Sequence, residues 1–81
     1  MINQLFRLSD LLALIPDEYR KRNAEKAQWI ADHYSVEKFD SVVVHFFNGE
    51  PSVVDGMTRL LALEIIRKNE QDKGNLVCKV E

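Results

Sequence analysis

The sequence predicts a small α+β domain with a mixed sheet. Two β-branched and aromatic runs, residues 42–47 and 52–55, flank the turn sequence Asn-Gly-Glu-Pro, and an Asn-Gly pair between such runs is a strong indication of a β-hairpin. Segments with helical periodicity precede and follow this hairpin, and the chain closes on another β-rich run. Because 81 residues suffice for one domain only, we expect residues 1–81 to form a single unit.

The N-terminal segment predicts a short strand followed by a short helix. Residues 4–8 (QLFRL) carry apolar side chains at 5, 6 and 8 and are expected to form the strand. Ser9 or Asp10 is placed to cap one or two helical turns, which Pro16 ends. The polar segment 17–23 has no pattern that decides between an extended and a helical conformation.

A longer helix is predicted from Asn23, its expected N-cap, to residue 35. Its buried face would carry four residues at i, i+3, i+4 and i+7 spacing: Ala27, Ile30, Ala31 and Tyr34. Residues 36–41 are a predicted loop that leads into the hairpin.

The helix after the hairpin is predicted from Met57 to about Asn69. It is apolar over more than half of its circumference, so it must be covered on several sides. Gly74 is the expected turn residue before a final strand at 76–80. The predicted order is therefore strand, short helix, helix, strand, strand, helix, strand.

Composition and charge are those of an ordinary soluble protein, with 46% hydrophobic and 30% charged residues. The net charge of −2 does not indicate a nucleic-acid-binding protein, which would need a local basic patch. Arg7 and Asp10 interrupt the N-terminal apolar stretch, so neither a signal peptide nor a membrane span is expected. The single cysteine, Cys78, excludes an internal disulfide and suits a cytoplasmic protein.

The corner between the hairpin and the last helix has features of an anion site. Asp55-Gly56 makes a tight turn, and Arg59 lies in the first helical turn, where the helix dipole disfavours a cation. A glycine turn, unpaired backbone N–H groups and an arginine can together bind a phosphate or a carboxylate. Taken alone, however, an Asp-Gly pair is most often an ordinary corner with the aspartate capping the helix.

The run VVDGMTRLLAL, residues 53–63, resembles the signature of the ParB/sulfiredoxin-like superfamily. There a hairpin ends in Asp-Gly, two polar residues and an arginine, followed by an apolar helix. Arg20 precedes Ile30 by ten residues, a spacing similar to that of many phage and mobile-element members. The resemblance extends over about residues 5–80, and we expect a degenerate ParB-like member of phage or mobile-element type.

The resemblance implies a corner that binds the phosphates of a nucleotide. By position, the phosphate- and nucleotide-binding residues would be Asp55, Gly56, Thr58 and Arg59, with Arg20 as a second cation. A nucleotide is thus the cofactor that the resemblance implies.

Two departures from the family signature weaken the expectation of catalysis. Met57 stands where sulfiredoxins have a cysteine and partition proteins a glutamate, so sulfiredoxin chemistry is excluded and no oxygen ligand for magnesium is provided. Thr58 stands where the family commonly has His or Arg and has no useful acid–base pKa. The partition proteins' helix-turn-helix region is also not expected here, because the chain ends at Glu81.

A second candidate site is a surface around Trp29. At helical spacing this residue shares a face with Arg22, Lys26 and His33, away from the apolar stripe. A tryptophan among cations is suited to docking a protein or a nucleic acid. The alternative is that Trp29 is covered by the N-terminal segment or by the end of the chain.

The remaining polar residues favour structural roles. His45, inside an apolar strand, is expected to be a core or edge histidine, and no second ligand lies at metal spacing from either histidine, so no metal is expected. Glu64 is expected to pair with Lys68 at i,i+4 spacing, and no residue is assigned a catalytic role.

Three functions remain open from the sequence. The first is a non-enzymatic domain that binds a partner protein as an accessory factor or inhibitor. The second is a nucleotide-binding NTPase or phosphotransferase. The third is nucleic-acid binding through the basic segment 20–26, which the net charge disfavours.

Overall fold

A computed structural model describes residues 2–33, 42–68 and 74–81. Four strands and four helices follow one another in these residues, in an α+β order: β1 (Ile2–Arg7), α1 (Leu8–Leu12), α2 (Asp17–Arg22), α3 (Ala24–Asp32), β2 (Val43–Phe47), β3 (Glu50–Asp55), α4 (Met57–Ile66) and β4 (Asn75–Val80). The strands form one mixed sheet in the order β1-β4-β2-β3. The sheet is antiparallel between β1 and β4 and between β2 and β3, and parallel between β2 and β4. The predicted fold class is confirmed.

The predicted hairpin is present as β2 and β3. Its two-residue loop has positive φ at both positions, 51° at Asn48 and 81° at Gly49, which matches the twist of the flanking strands. A register shift between Val43 and Val44 brings Val43 opposite Asp55, at the end of β3. The hairpin therefore ends at the corner that precedes α4.

The N-terminal elements differ from the expectation. The strand begins at Ile2 because β4 pairs with it along its whole length, from Ile2↔Val80 to Arg7↔Asn75. The expected caps at Ser9 and Asp10 are wrong, since α1 begins at Leu8 with Arg7 in the N-cap position and no side-chain cap. Packing explains this start, because the Leu8 side chain is fully buried in the core and α1 includes it as its first residue.

The undecided segment after Pro16 is helical and forms α2, which Asn23 separates from α3. Asn23 holds the predicted N-cap position, but its side chain does not cap α3, because Nδ2 donates to the Tyr19 carbonyl at 3.0 Å instead. Ala27 is buried, and Ile30 and Ala31 are half-buried, as the predicted stripe requires. Tyr34 and the predicted loop 36–41 lie outside the described residues.

The core lies between the sheet and helices α1, α3 and α4. Helix α4 ends at Ile66, and Asn69, its expected end, is outside the described residues. Four successive residues of α4 are buried, which confirms that this helix is covered on several sides. The core cluster consists of Leu8, Leu11, Leu12, Ile15, Ala27, Val42, Val44, Val53, Leu60, Leu61, Leu63 and Cys78.

Candidate functional site

The corner between β3 and α4 is shaped by Gly56. Its φ of 96° is left-handed, and a Cβ there would lie 3.0 Å from Val42 Cγ2 and 3.2 Å from Val42 Cα. Glycine is therefore required both by the backbone conformation and by the close approach of Val42. Gly56 is the N-cap of α4, and no side chain of the described residues caps the start of this helix. The capping role considered for Asp55 is thus not observed.

A cleft of about 260 Å³ lies at this corner. Four of the five predicted phosphate-binding residues line it: Asp55, Gly56, Thr58 and Arg59. The opposite wall comes from α2 and α3, which contribute Tyr19, Lys26 and Ile30. The tertiary structure therefore brings a second cation to the corner, but that cation is Lys26.

The Thr58 hydroxyl is already hydrogen-bonded within the protein. Its Oγ1 lies 2.6 Å from the Tyr19 hydroxyl, and this contact joins the start of α4 to α2 across the cleft wall. The hydrogen bond fixes the Thr58 rotamer and uses part of the hydroxyl's bonding capacity. Tyr19 is a site residue that the sequence did not indicate, because 39 residues separate the two partners.

Arg20 does not reach the corner. Its Nη1 donates to Glu64 Oε1 at 3.0 Å, and its Nη2 donates to the Leu12 carbonyl at 2.6 Å. Both carboxylate oxygens of Glu64 are in reach, at 3.0 and 3.4 Å. The expected role of Arg20 as a second cation of the phosphate site and the expected Glu64–Lys68 pair are therefore corrected to one Arg20–Glu64 ion pair.

Trp29 is exposed on α3. Its side chain is 62% accessible, and its ring stacks on that of His33 with centroids 4.2 Å apart and an interplanar angle of 18°. His33 Nδ1 also lies 2.8 Å from the Trp29 carbonyl oxygen, so the stacked pair is held in place. The alternative in which Trp29 is covered is wrong for the described part of the chain.

Basic residues lie on one flank of Trp29 and acidic residues on the other. Lys26 and His33 are one turn before and after it on the flank towards the corner cleft, and Arg22 is exposed at the end of α2. Because Asn23 interrupts the helix, the helical spacing that placed Arg22 beside Trp29 does not hold across this break. Within residues 2–33, 42–68 and 74–81, neither Arg22 nor Lys26 forms an ion pair.

The acidic flank of α3 carries Glu25 and Asp32, at i−4 and i+3 from Trp29. Asp32 accepts a hydrogen bond from Gln28 at 2.9 Å. The surface around Trp29 is thus polarised across the helix and is not uniformly basic. We call the flank of α3 formed by Lys26, Trp29 and His33 the Trp29 face; Arg22, predicted from the sequence to share it, lies beyond the break at Asn23.

The remaining candidate groups have structural surroundings. His45 is half-buried in β2, and its ring contacts the Phe47 ring edge-on, with the two ring centroids 4.4 Å apart. Burial raises the pKa of the Cys78 thiol above its usual value, so this group stays protonated. No cluster of three or more metal-ligating side chains occurs in the described segments.

Comparison of the chain with protein-family models, with curated proteins and with solved structures finds no match. In the part of the chain that the structure describes, no helix has the length and apolar character needed to cross a membrane.

Proposed function

We propose that this protein is a non-enzymatic binding domain that docks an acidic segment of a partner protein on the Trp29 face. The observation that carries the proposal is the exposure of Trp29, the only tryptophan in the chain. Tryptophan presents a large apolar area at a low entropy cost, and it is among the residues most enriched in binding hot spots.

Charge complementarity defines the partner. Lys26 forms no ion pair within the described residues, so an incoming carboxylate does not have to displace one. The acidic flank at Glu25 and Asp32 disfavours a partner that places its acids on that side. An acidic segment with an apolar or aromatic side chain for Trp29 therefore fits in one orientation, with its carboxylates towards Lys26.

The corner cleft extends this surface. Lys26 lines the cleft and also belongs to the Trp29 face, so the two candidate sites adjoin at one residue. The uncapped start of α4 favours negative charge. A carboxylate or phosphate group of the partner in the cleft would add to the affinity provided by Trp29.

A non-enzymatic role is supported by the residues at the start of α4. Met57 packs against the core and offers no reactive or hard-ligand atom, and the Thr58 hydroxyl is bonded to Tyr19. We further propose, from the sequence signature, that the domain is a degenerate ParB/sulfiredoxin-like member of phage or mobile-element type. A cytoplasmic location is proposed from the single buried cysteine.

The function is tested by selecting short randomised peptides on the purified protein and measuring their affinities by isothermal titration calorimetry, a readout that does not depend on Trp29. We expect the selected peptides to be acidic, and we expect Trp29→Ala to weaken binding about 30-fold or more, which corresponds to about 2 kcal/mol. The matched control is Phe47→Ala, since Phe47 is an aromatic residue of similar exposure, 58%, on β2. Peptides that bind both variants as well as the native protein would refute the proposal.

The cleft also supports the second candidate, a nucleotide-binding enzyme, because it combines a helix start with Lys26 and Arg59. The third candidate, nucleic-acid binding by segment 20–26, loses support because Arg20 forms an ion pair with Glu64.

Replacing Lys26 with Glu separates peptide binding from nucleotide binding. The variant should no longer bind acidic peptides if the proposed function is correct. It should bind nucleoside triphosphates more weakly only if the cleft holds phosphates.

A further inference from the structure

The strand β1 lies at an open edge of the sheet. In the order β1-β4-β2-β3, β4 covers one side of β1 and no described residue pairs with the other side. The strand is regular over its six residues and pairs with β4 without a register shift. It therefore presents a straight row of backbone groups to any further strand.

The outward-facing backbone groups can be identified from one hydrogen bond. The Leu8 N–H donates to the Gly74 carbonyl at 2.9 Å, in register with the β1–β4 ladder. Because hydrogen-bonded positions alternate along an antiparallel ladder, the even-numbered residues of β1 bond to β4. The N–H and C=O groups of Asn3, Leu5 and Arg7 consequently point to the open edge.

The two edges of the sheet differ in how they are protected. The other edge, β3, contains Pro51, which has no N–H to donate, and it begins and ends with Glu50 and Asp55. By contrast, β1 contains no proline, and its only charge is Arg7 at the end. Leu5 is 60% exposed, and it lies opposite Val77, which is 55% exposed. An open edge with an apolar pair beside it is suited to pairing with another strand.

We propose that β1 pairs antiparallel with β1 of a second copy of this chain, joining the two sheets across a two-fold axis at Leu5. In this register Leu5 lies opposite its symmetry mate, and Asn3 lies opposite Arg7. All three outward-facing residues then form reciprocal hydrogen-bonded pairs, and the two Leu5 and two Val77 side chains form one apolar strip. This inference is independent of the function proposed for the Trp29 face.

Charge supports this register over its neighbours. The two Arg7 residues lie about four residue positions apart along the strands, roughly 14 Å, which exceeds a Debye length at physiological salt. Shifting the pairing by two positions towards Arg7 would bring the arginines within about 7 Å and place Arg7 opposite Leu5. A shift the other way would place Leu5 opposite Asn3 and break the apolar strip.

The dimer should be concentration-dependent. Pairing of six-residue strands covers less surface than the roughly 1,200–2,000 Å² of stable interfaces, so exchange between monomer and dimer is expected. Sedimentation equilibrium of the untagged protein, carried to millimolar concentration, should show association to twice the monomer mass of 9.4 kDa. A protein that remains monomeric throughout would overturn the proposal.

Leu5→Lys tests the edge. It places two like charges directly opposite each other and should raise the dimer dissociation constant at least about tenfold. Val54→Lys on β3 is the matched control, because Val54 is also exposed, and it should leave association unchanged. Unchanged thermal midpoints would show that both variants are folded. Equal loss of association in both variants would count against β1 as the interface.

Leu5→Cys tests the register. Hydrogen-bonded antiparallel pairs have Cα atoms about 5.5 Å apart, which a disulfide can span, so mild oxidation should cross-link this variant to a dimer. Val77→Cys is the control, because its symmetry mate would lie about three strand spacings, roughly 14 Å, away. The native Cys78 is buried and should not react. Equal cross-linking of the two variants would contradict the proposed register.

Discussion

Arg20 and Glu64 form an ion pair that joins α2 to α4, with Nη1 and Oε1 3.0 Å apart. The two residues are 44 positions apart in sequence, and the same guanidinium also donates to the carbonyl of Leu12, the last residue of α1. One side chain thus ties three helices together. Its position explains why Arg20 is unavailable to the corner cleft.

Removing this side chain should cost stability and leave ligand binding intact. We expect Arg20→Ala to lower the free energy of unfolding by about 1–2 kcal/mol, because both a partly screened ion pair and a bond to a carbonyl are lost. Glu64→Gln removes only the charge and should cost less. Urea melts measure both changes, and a drop in anion or peptide affinity in Arg20→Ala would place Arg20 in the site after all.

Gly56→Ala should be far more destabilising than Gly49→Ala. Both positions have positive φ, so each substitution costs about 1–2 kcal/mol of backbone strain. Only at position 56 does the new methyl meet another group, since Val42 lies 3.0 Å away, while nothing lies within 4 Å of position 49. Overpacking adds about 1–3 kcal/mol at Gly56. Similar thermal midpoints for the two variants would show that Val42 does not constrain the corner.

Trp29→Ala should leave the fold nearly as stable as the native protein. A side chain that is 62% exposed contributes little buried area, so we expect a change of less than about 1 kcal/mol in the free energy of unfolding. A core tryptophan would cost about 3–5 kcal/mol, enough to unfold a domain of this size. A large loss of stability in a thermal melt would therefore remove the basis for the Trp29 face.

The protein should not hydrolyse nucleoside triphosphates above background. Met57 cannot act as a nucleophile or hold magnesium, and Thr58 has no acid–base function near neutral pH. Phosphate release is measured with purified protein, magnesium and each common triphosphate. Turnover that disappears in Arg59→Ala would establish an enzyme and reverse this expectation.

Local signals in the sequence determined the class of fold and the corner. The Asn48-Gly49 pair specified the hairpin, because few residues adopt positive φ at both positions of a two-residue loop. The apolar circumference of α4 likewise required a covered helix, and Gly56 marked the tight turn before it. Each of these features depends on neighbours a few positions away, which is why the sequence alone was sufficient for them.

Contacts between distant segments were decided only by the tertiary structure. The parallel pairing of β2 with β4, the Tyr19–Thr58 hydrogen bond and the start of α1 at Leu8 all depend on packing that no local pattern encodes. The tertiary structure also decided which residue joins Arg59 as a second cation at the cleft. Arginine and lysine have long, flexible side chains, so sequence position does not determine where their charges lie. In the folded protein Arg20 pairs with Glu64, and Lys26 lines the cleft.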